Sequence, residues 1–309
     1  MEPTTVVVER RGAVAWIRHA SDLDRMDARG LALLRAAVDR VVADDGVRVV
    51  VLGGPPGRYP RMMDPEQGQR LAAWAPPWPA RWTAAGVRAA VALLRWVWPL
   101  RRLLDRPALA EPAAMLNLRA ATDALERCDK VTVAAIDGPA FGGGMELALV
   151  CDLLLASDRA DVHLAQPEVL GGVVAGFGAT QRLPRLIGAA RALELLLLAE
   201  AIRPEQALAW GLVTRVLPAD TFQGDVWALA ERLARRPAAA VAGTRAAVRA
   251  ALGGLEPGLS AELVQVLRVW PSPGARKGLA AVSARIAEEA QAATLRPLPE
   301  LLRDFEQER

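Results

Sequence analysis

Residues 131–156 of the 309-residue chain read VTVAAIDGPAFGGGMELALVCDLLLA and contain the stretch that decides the fold. The first six residues are predicted to form a buried strand, because they are a short apolar run that ends at Asp137-Gly138-Pro139. Three glycines and an apolar helix that ends near Asp152 follow, and residues 153–156 are predicted to form the next strand. Strands that alternate with helices indicate an α/β fold.

The alternation continues on both sides of this stretch. Residues 4–9 and 13–18 are strand-like runs around Arg11-Gly12 and predict a hairpin, residues 27–43 have a helical period, and residues 47–52 predict a strand. A further strand is predicted over residues 162–165. The C-terminal third is predicted to be helical, with candidate helices at 189–199, 204–210, 220–235, 238–252, 259–269 and 275–290.

The segment from about residue 65 to 114 differs from the rest of the chain, since it holds five of the nine tryptophans. A helix is predicted over residues 81–98, and arginines recur every seven residues at Arg81, Arg88, Arg95 and Arg102. We interpret this stripe of positive charge as a solvated helix face. The alternatives are contact with an acidic carrier protein, with the phosphates of coenzyme A, or with a membrane surface. The tryptophans predict that the segment shapes a pocket or a lid.

Composition excludes several classes of protein. With 52% hydrophobic and 24% charged residues, the chain has the composition of a globular protein. Its 38 basic and 35 acidic residues are too evenly balanced for a nucleic-acid partner. Two cysteines give neither a disulfide framework nor a metal site. The apolar runs fall short of the ~20 residues of a membrane span, so we expect a cytoplasmic protein without a transmembrane segment.

The triple glycine and two glutamates carry the candidate chemistry. Residues 142–144 lie where a strand leads into a helix, so their backbone N–H groups are suited to hold an anion or a developing oxyanion. Glu146 follows in an otherwise apolar run, and Glu168 follows Gln166-Pro167 in a second loop. Burial raises the pKa of a carboxyl group, which suits proton transfer near neutral pH. The alternative roles are a helix first-turn acid and a surface loop acid.

These residues together resemble the enoyl-CoA hydratase/isomerase (crotonase) family. The resemblance runs from about residue 130 to 218 and rests on VAAIDGPAFGGGMELA at 133–148, on Gln166-Pro167-Glu168 and on AWGLV at 209–213. It implies a crotonase-like spiral of strand-strand-helix repeats over residues 1–220, with a helical insertion at about 65–114. Residues 221–309 would form a C-terminal helical region used in trimerisation.

The resemblance also implies a site for an acyl thioester. In the family, two backbone N–H groups hold the thioester oxygen as an enolate, and the positions that match are Gly143 and Arg61. The family's hydratases use two glutamates, which match Glu146 and Glu168. The first oxyanion loop departs from the usual Phe-Ser/Ala-Ala-Gly-x-Asp pattern, because residues 59–64 read YPRMMD.

The thioester's coenzyme A moiety is expected to contact an early loop. Asp24 and Met26 match the family's acyl-CoA-contacting loop, and we add Gly172 from the glycine-rich stretch that follows Glu168. No cofactor is expected beyond the coenzyme A or acyl-carrier group of the substrate, and no metal.

The resulting hypothesis is a hydro-lyase of fatty acid metabolism that adds water to, or removes it from, the 2,3 double bond of an enoyl thioester. One alternative is an enoyl thioester isomerase or other enolate chemistry such as decarboxylation or oxygenation. Another is a catalytically silent protein that binds acyl thioesters. A homotrimer or hexamer is expected.

Overall fold

The computed structural model describes residues 4–74, 110–251 and 273–291 of the chain. Its strands are β1 (Thr5–Arg11), β2 (Val14–Ala20), β3 (Arg25–Met26), β4 (Val49–Gly53), β5 (Met62–Met63), β6 (Val131–Ile136), β7 (Ala140–Phe141), β8 (Leu153–Ser157), β9 (Leu164–Ala165) and β10 (Arg215–Leu217). Its α-helices are α1 (Ala28–Ala43), α2 (Pro65–Trp74), α3 (Ala110–Arg127), α4 (Gly143–Ala148), α5 (Ala179–Leu198), α6 (Pro204–Ala209), α7 (Phe222–Ala234), α8 (Ala238–Ala251) and α9 (Pro273–Gln291). Short 3₁₀ turns lie at Asp22–Asp24 and Pro167–Gly171.

Six strands form the main sheet in the order β1-β2-β4-β6-β8-β10. The β1–β2 hairpin is antiparallel, as the sequence predicted, and the other pairs of this sheet are parallel. Each of β2, β4, β6 and β8 is followed by a short strand of a second layer, in which β3 pairs with β5 and β7 pairs with β9. The α/β class predicted from the sequence is therefore confirmed, and its repeating unit is a long strand, a short strand and a helix.

The central strands β4 and β6 of the main sheet are buried on both faces, which explains their near-continuous apolar runs. Alternate residues of β4 point to opposite sides, so that Val50 and Leu52 join the cluster that includes α1 and α3. Val49 and Val51 pack with Phe222 and other residues of α7 on the other side. Because β6 and β8 are parallel, their carboxyl ends lie at the same edge of the sheet, so the segments that lead to α4 and α5 both begin there.

Helices α2 and α3 are the main elements that the sequence patterns missed. The first lies within the segment assigned to the insertion, and the second overlaps its end. The predicted helix at 81–98, its arginine stripe, the predicted helix at 259–269 and four of the five clustered tryptophans lie outside the described residues. The domain boundary near residue 220 stays a prediction. Within the part of the chain that the structure describes, no helix is both long and apolar enough to span a membrane.

Candidate active site

One cavity of about 120 Å³ lies where the triple-glycine loop, α2, the Pro167–Gly171 turn and α9 meet. Its walls are mostly apolar side chains, among them Met62, Met63, Phe141, Leu170, Leu279 and Val282. Three carboxylic side chains also line it, namely Asp64, Glu146 and Glu168. An apolar cavity with a few polar groups is the usual form of a small-molecule site, and here those groups are titratable.

Glu146 is held at the cavity by the scaffold. Its side chain is buried, and its Oε1 accepts the backbone N–H of Phe177 at 2.8 Å and that of Ala179 at 3.0 Å. Ala179 is the first residue of α5, so Glu146 also satisfies a donor at the start of that helix. Glu146 therefore has a structural contact at the start of α5, in addition to its place in the first turn of α4 and in the cavity lining.

Burial raises the pKa of Glu146 above its ordinary value of 4.5. The N–H groups of Ala179 and Phe177 and the guanidinium of Arg182 oppose this shift, because they stabilise the ionised form. Arg182 is itself buried and forms an ion pair with Glu126 at 2.7 Å. The site around Glu146 is apolar, and burial there increases the affinity of the Glu146 carboxyl group for a proton.

This shift predicts how stability responds to Glu146→Gln. The pKa of Glu146 is higher in the folded chain than its ordinary value of 4.5, so above pH 4.5 the folded chain binds more protons than the unfolded chain. Stability is therefore lost as the pH rises through the folded-state pKa and Glu146 ionises. A Gln oxygen can still accept both N–H groups but does not ionise. We expect the unfolding free energy of the variant, relative to the natural protein, to increase as the pH is raised above 4.5. Denaturant titrations at several pH values measure it, and a difference that is constant or falls with pH contradicts the buried-acid interpretation.

Glu168 lies on the Pro167–Gly171 turn opposite the glycine loop. Its Oε1 is 3.1 Å from the position that a Cβ on Gly142 would occupy. The amide of Gln166, assigned with its nitrogen toward the carboxylate, donates to Glu168 Oε2 at 2.9 Å and to Oε1 at 3.1 Å. Gln166 is fully buried, so these bonds orient the Glu168 side chain from the protein side. The sequence offered Gln166 only as part of a motif and gave it no role.

Asp64 is the third carboxyl group and was not assigned a role from the sequence. Its Oδ1 accepts the N–H of Glu66 at 3.3 Å at the start of α2 and lies 3.8 Å from Arg25 Nη1. Burial raises the pKa of Asp64, and Arg25 opposes that shift. The contacts are those of a residue that ends the loop and begins the helix.

The glycine loop requires glycine because backbone approaches it closely. A Cβ on Gly144 would overlap the carbonyl oxygens of Pro60 and Arg61. Gly143 begins α4, and the first N–H groups of a helix have no acceptor inside it. Since Gly143 also lines the cavity, its N–H is one candidate donor to an oxyanion.

The second predicted donor, Arg61, stays a prediction, and in the structure its N–H has a partner outside the cavity. The Arg61 N–H already donates to Asp24 O at 2.7 Å, and Arg61 is not among the residues that line the cavity. Two residues further on, Met63 lines the cavity and its side chain lies against Gly143, with Cγ 3.0 Å from where a Cβ on Gly143 would be.

The backbone around β5 is hydrogen-bonded on two sides. The N–H groups of Arg61 and Asp64 donate to Asp24 O and Met26 O, at 2.7 Å and 3.1 Å, and Arg61 O accepts the N–H of Phe141 at 2.9 Å. Because Met63 lies against Gly143 and lines the cavity, its N–H is a candidate for the second donor.

The three positions predicted to contact coenzyme A lie beside the cavity rather than in its lining. Asp24 accepts Arg58 Nε at 2.7 Å. Met26 is fully buried in β3, so its side chain offers a ligand no surface. Gly172 ends the 3₁₀ turn with a φ of 70° and lies between two residues that line the cavity. Among residues 4–74, 110–251 and 273–291, no group of three or more His, Cys, Asp or Glu side chains is placed to hold a metal ion.

Comparison with known proteins assigns the chain to a family. A family model described as enoyl-CoA hydratase/isomerase matches residues 109–274, which is more than half of the chain. The chain therefore belongs to the enoyl-CoA hydratase/isomerase (crotonase) family.

Individual relatives agree with this assignment. The chain is 38% identical over 129 residues to a mitochondrial enoyl-CoA hydratase of Pongo abelii, covering 42% of this chain and 44% of that protein. It is 42% identical over 139 residues to the alpha subunit of a fatty acid oxidation complex of Shewanella amazonensis, covering 44% of this chain and 20% of that protein. The match thus spans less than half the length of either curated relative. A solved enoyl-CoA hydratase of Mycobacterium avium subsp. paratuberculosis shares the fold, with a TM-score of 0.70, 24% identity and coverage of 91% of this chain and 100% of that one.

Proposed function

We propose that the protein is a hydro-lyase that adds water reversibly to the 2,3 double bond of an enoyl thioester. The observation that carries this proposal is that Glu146 and Glu168, on separate elements, line one apolar cavity beside the start of the triple-glycine helix. Two carboxyl groups are what hydration needs, because one must exchange a proton with carbon 2 while the other directs a water to carbon 3.

In this mechanism the thioester oxygen is held by the N–H groups of Gly143 and Met63. Water attack at carbon 3 moves the double-bond electrons toward the thioester carbonyl, and the resulting enolate charge is stabilised by the two donors. Neither donor depends on a side chain, so the methionines at 62 and 63 are compatible with the hole.

Glu168 gives a proton to carbon 2, or removes it in the reverse direction. Gln166 directs two N–H bonds of its amide at the Glu168 oxygens and so keeps the carboxyl group oriented toward the loop. Glu146 accepts two N–H groups on Oε1, and we assign its other oxygen to the water that attacks carbon 3. Glu146 takes the proton that this water loses, and after the product leaves Glu146 releases a proton to solvent while Glu168 takes one up, which restores the starting state.

A double-bond isomerase is the second candidate, and a specific observation favours it. Glu146 is committed through Oε1 to the start of α5, which is a structural use of its carboxylate. Isomerisation needs only one group to move a proton between two carbons, and Glu168 could do this alone.

We further propose a coenzyme A or acyl-carrier thioester as the substrate, with Asp24 and Gly172 near its carrier portion. We also propose a homotrimer or hexamer, which is supported by exposed leucines along α5 at Leu186, Leu193, Leu197 and Leu198. Trp fluorescence that responds to a bound acyl thioester would support the pocket role proposed for the 65–114 segment.

Turnover with a panel of thioesters tests the proposed reaction. Each chain length of 2-enoyl and 3-enoyl substrate is offered on coenzyme A and on acyl carrier protein, and hydration and double-bond movement are recorded separately. We expect hydration of 2-enoyl substrates to be the faster reaction. Movement of the 3-enoyl double bond without hydration supports the isomerase instead, and binding without turnover supports the silent alternative.

A further inference from the structure

Helix α9 lies directly on the turn that carries Glu168. Gly278 faces Gly171, the last residue of that turn, and a Cβ on Gly278 would overlap Gly171 O. It would also lie 2.5 Å from Gly171 C and 3.0 Å from Gly171 Cα. The nearest atoms are all backbone, so no side-chain rotation could relieve the overlap.

The same helix is attached to the opposite wall of the cavity. Gln69 Nε2, on α2, donates to Leu279 O at 2.8 Å, and Leu279 Cδ2 lies 3.4 Å from where a Cβ on Gly68 would be. Helix α2 begins two residues after β5, which contains Met63. Helix α9 therefore joins the wall that follows Met63 to the turn that carries Glu168.

We propose that Gly278 is a positioning residue for Glu168, because its backbone contact with Gly171 sets the distance between the Pro167–Gly171 turn and the opposite wall of the cavity. The effect on catalysis rests on the function proposed for Glu168, whereas the contact between Gly278 and Gly171 is independent of it. It gives α9 a role beyond closing the cavity with Leu279 and Val282.

The contact acts on the Glu168 backbone through a short path. Val173 N–H donates to Glu168 O at 3.1 Å, and Gly172 N–H donates to Val169 O at 3.0 Å, so the turn is a hydrogen-bonded unit. If α9 is pushed outward, the turn loses the surface that supports Gly171. If the turn yields instead, Glu168 moves with it relative to the glycine loop.

Gly278→Ala tests the proposal, with Gly243→Ala as the matched control. Gly243 lies in α8, and apart from its chain neighbours and the adjacent backbone of its own helix, no atom of the described residues comes within 4 Å of the position that a Cβ on Gly243 would occupy. The control therefore makes the same substitution in a helix without crowding. Hydrogen exchange of the amides at residues 168–173 is measured first, since it does not depend on any reaction. We expect faster exchange in Gly278→Ala and no change in Gly243→Ala.

Kinetics on a 2-enoyl thioester then measure the consequence for Glu168. Displacement of a reacting group by about 1 Å can cost about 10²-fold in rate, so we expect kcat for hydration and carbon 2 proton exchange to fall together by up to this factor. KM should change far less. Unchanged hydrogen exchange together with unchanged kcat overturns the proposal.

Two further outcomes need their own test: a Gly278→Ala variant that does not fold, and a natural protein without activity. If Gly278→Ala does not fold, Gln69→Met removes the bond to Leu279 O while keeping a helical residue, and a smaller increase in exchange at 168–173 is expected. Unchanged exchange there overturns the proposal as well. If the natural protein turns over no thioester, the proposed function fails, but the exchange measurement still decides whether Gly278 positions the turn.

Discussion

Glu168→Gln is expected to abolish both hydration and the exchange of the carbon 2 proton with solvent. The substitution keeps the size of the side chain but removes the group that carries the proton, and a lost general acid or base typically costs ~10²–10⁴ in rate. Binding of the thioester should be retained, because the cavity walls and backbone donors are unchanged. Glu66→Gln, on an exposed carboxylate of α2, is the matched control and should have natural activity.

Glu146→Gln distinguishes the duties of the two carboxyl groups. The Gln oxygen can still accept the N–H groups of Phe177 and Ala179, so the fold around the cavity should persist. Hydration should fall by a similar ~10²–10⁴, while carbon 2 exchange and any isomerase activity fall less. Full hydration by this variant would remove Glu146 from the chemistry and leave it as the residue that begins α5.

Gly143→Pro is the second substitution with a large expected effect. It removes one backbone donor from the proposed oxyanion hole, and one such donor is commonly worth ~10²–10³ in rate. Proline is tolerated at the first position of a helix, which is where Gly143 lies. The measured quantity is kcat on a 2-enoyl thioester, together with thioester affinity.

Gly143→Ala is the control that separates the donor from crowding. Alanine keeps the N–H but adds a Cβ 3.0 Å from Met63 Cγ, where the flexible methionine side chain can shift. We expect the Ala variant to keep most of the activity that the Pro variant loses. Equal losses in both variants would show that space, rather than the N–H group, matters at this position.

The sequence predicted five of the six strands of the main sheet, because the central ones are apolar runs buried on both faces. It missed β10, which has three residues and is partly exposed. It missed α3, whose buried face includes Leu118, Ala121 and Leu125, since alanine contributes little to an apolar period although it favours helix. Strands β3, β5 and β7 have two residues each, which is too short for any period to be read.

The sequence predicted those parts of the candidate site that belong to short, continuous motifs. The glycine loop and the two glutamates could be selected from motifs and from the resemblance. The place of Met63 in the cavity could not, because it depends on how β5 pairs with β3 and on the packing of the Met63 side chain against Gly143. The role of Gln166 depends on the local conformation that turns its amide toward Glu168, two residues further on. The role of Gly278 depends on a contact between elements that are more than 100 residues apart in the chain.

The most direct test of the account is the isotopic composition of the product formed by the natural protein. A short 2-enoyl coenzyme A thioester is incubated in deuterium oxide and, separately, in ¹⁸O-labelled water, and the product is analysed by mass spectrometry. We predict a 3-hydroxyacyl thioester with one deuterium at carbon 2 and with ¹⁸O in its hydroxyl group. Recovery of an enoyl thioester that has gained deuterium or moved its double bond, but has taken up no ¹⁸O, would contradict the hydro-lyase and leave Glu168 acting alone.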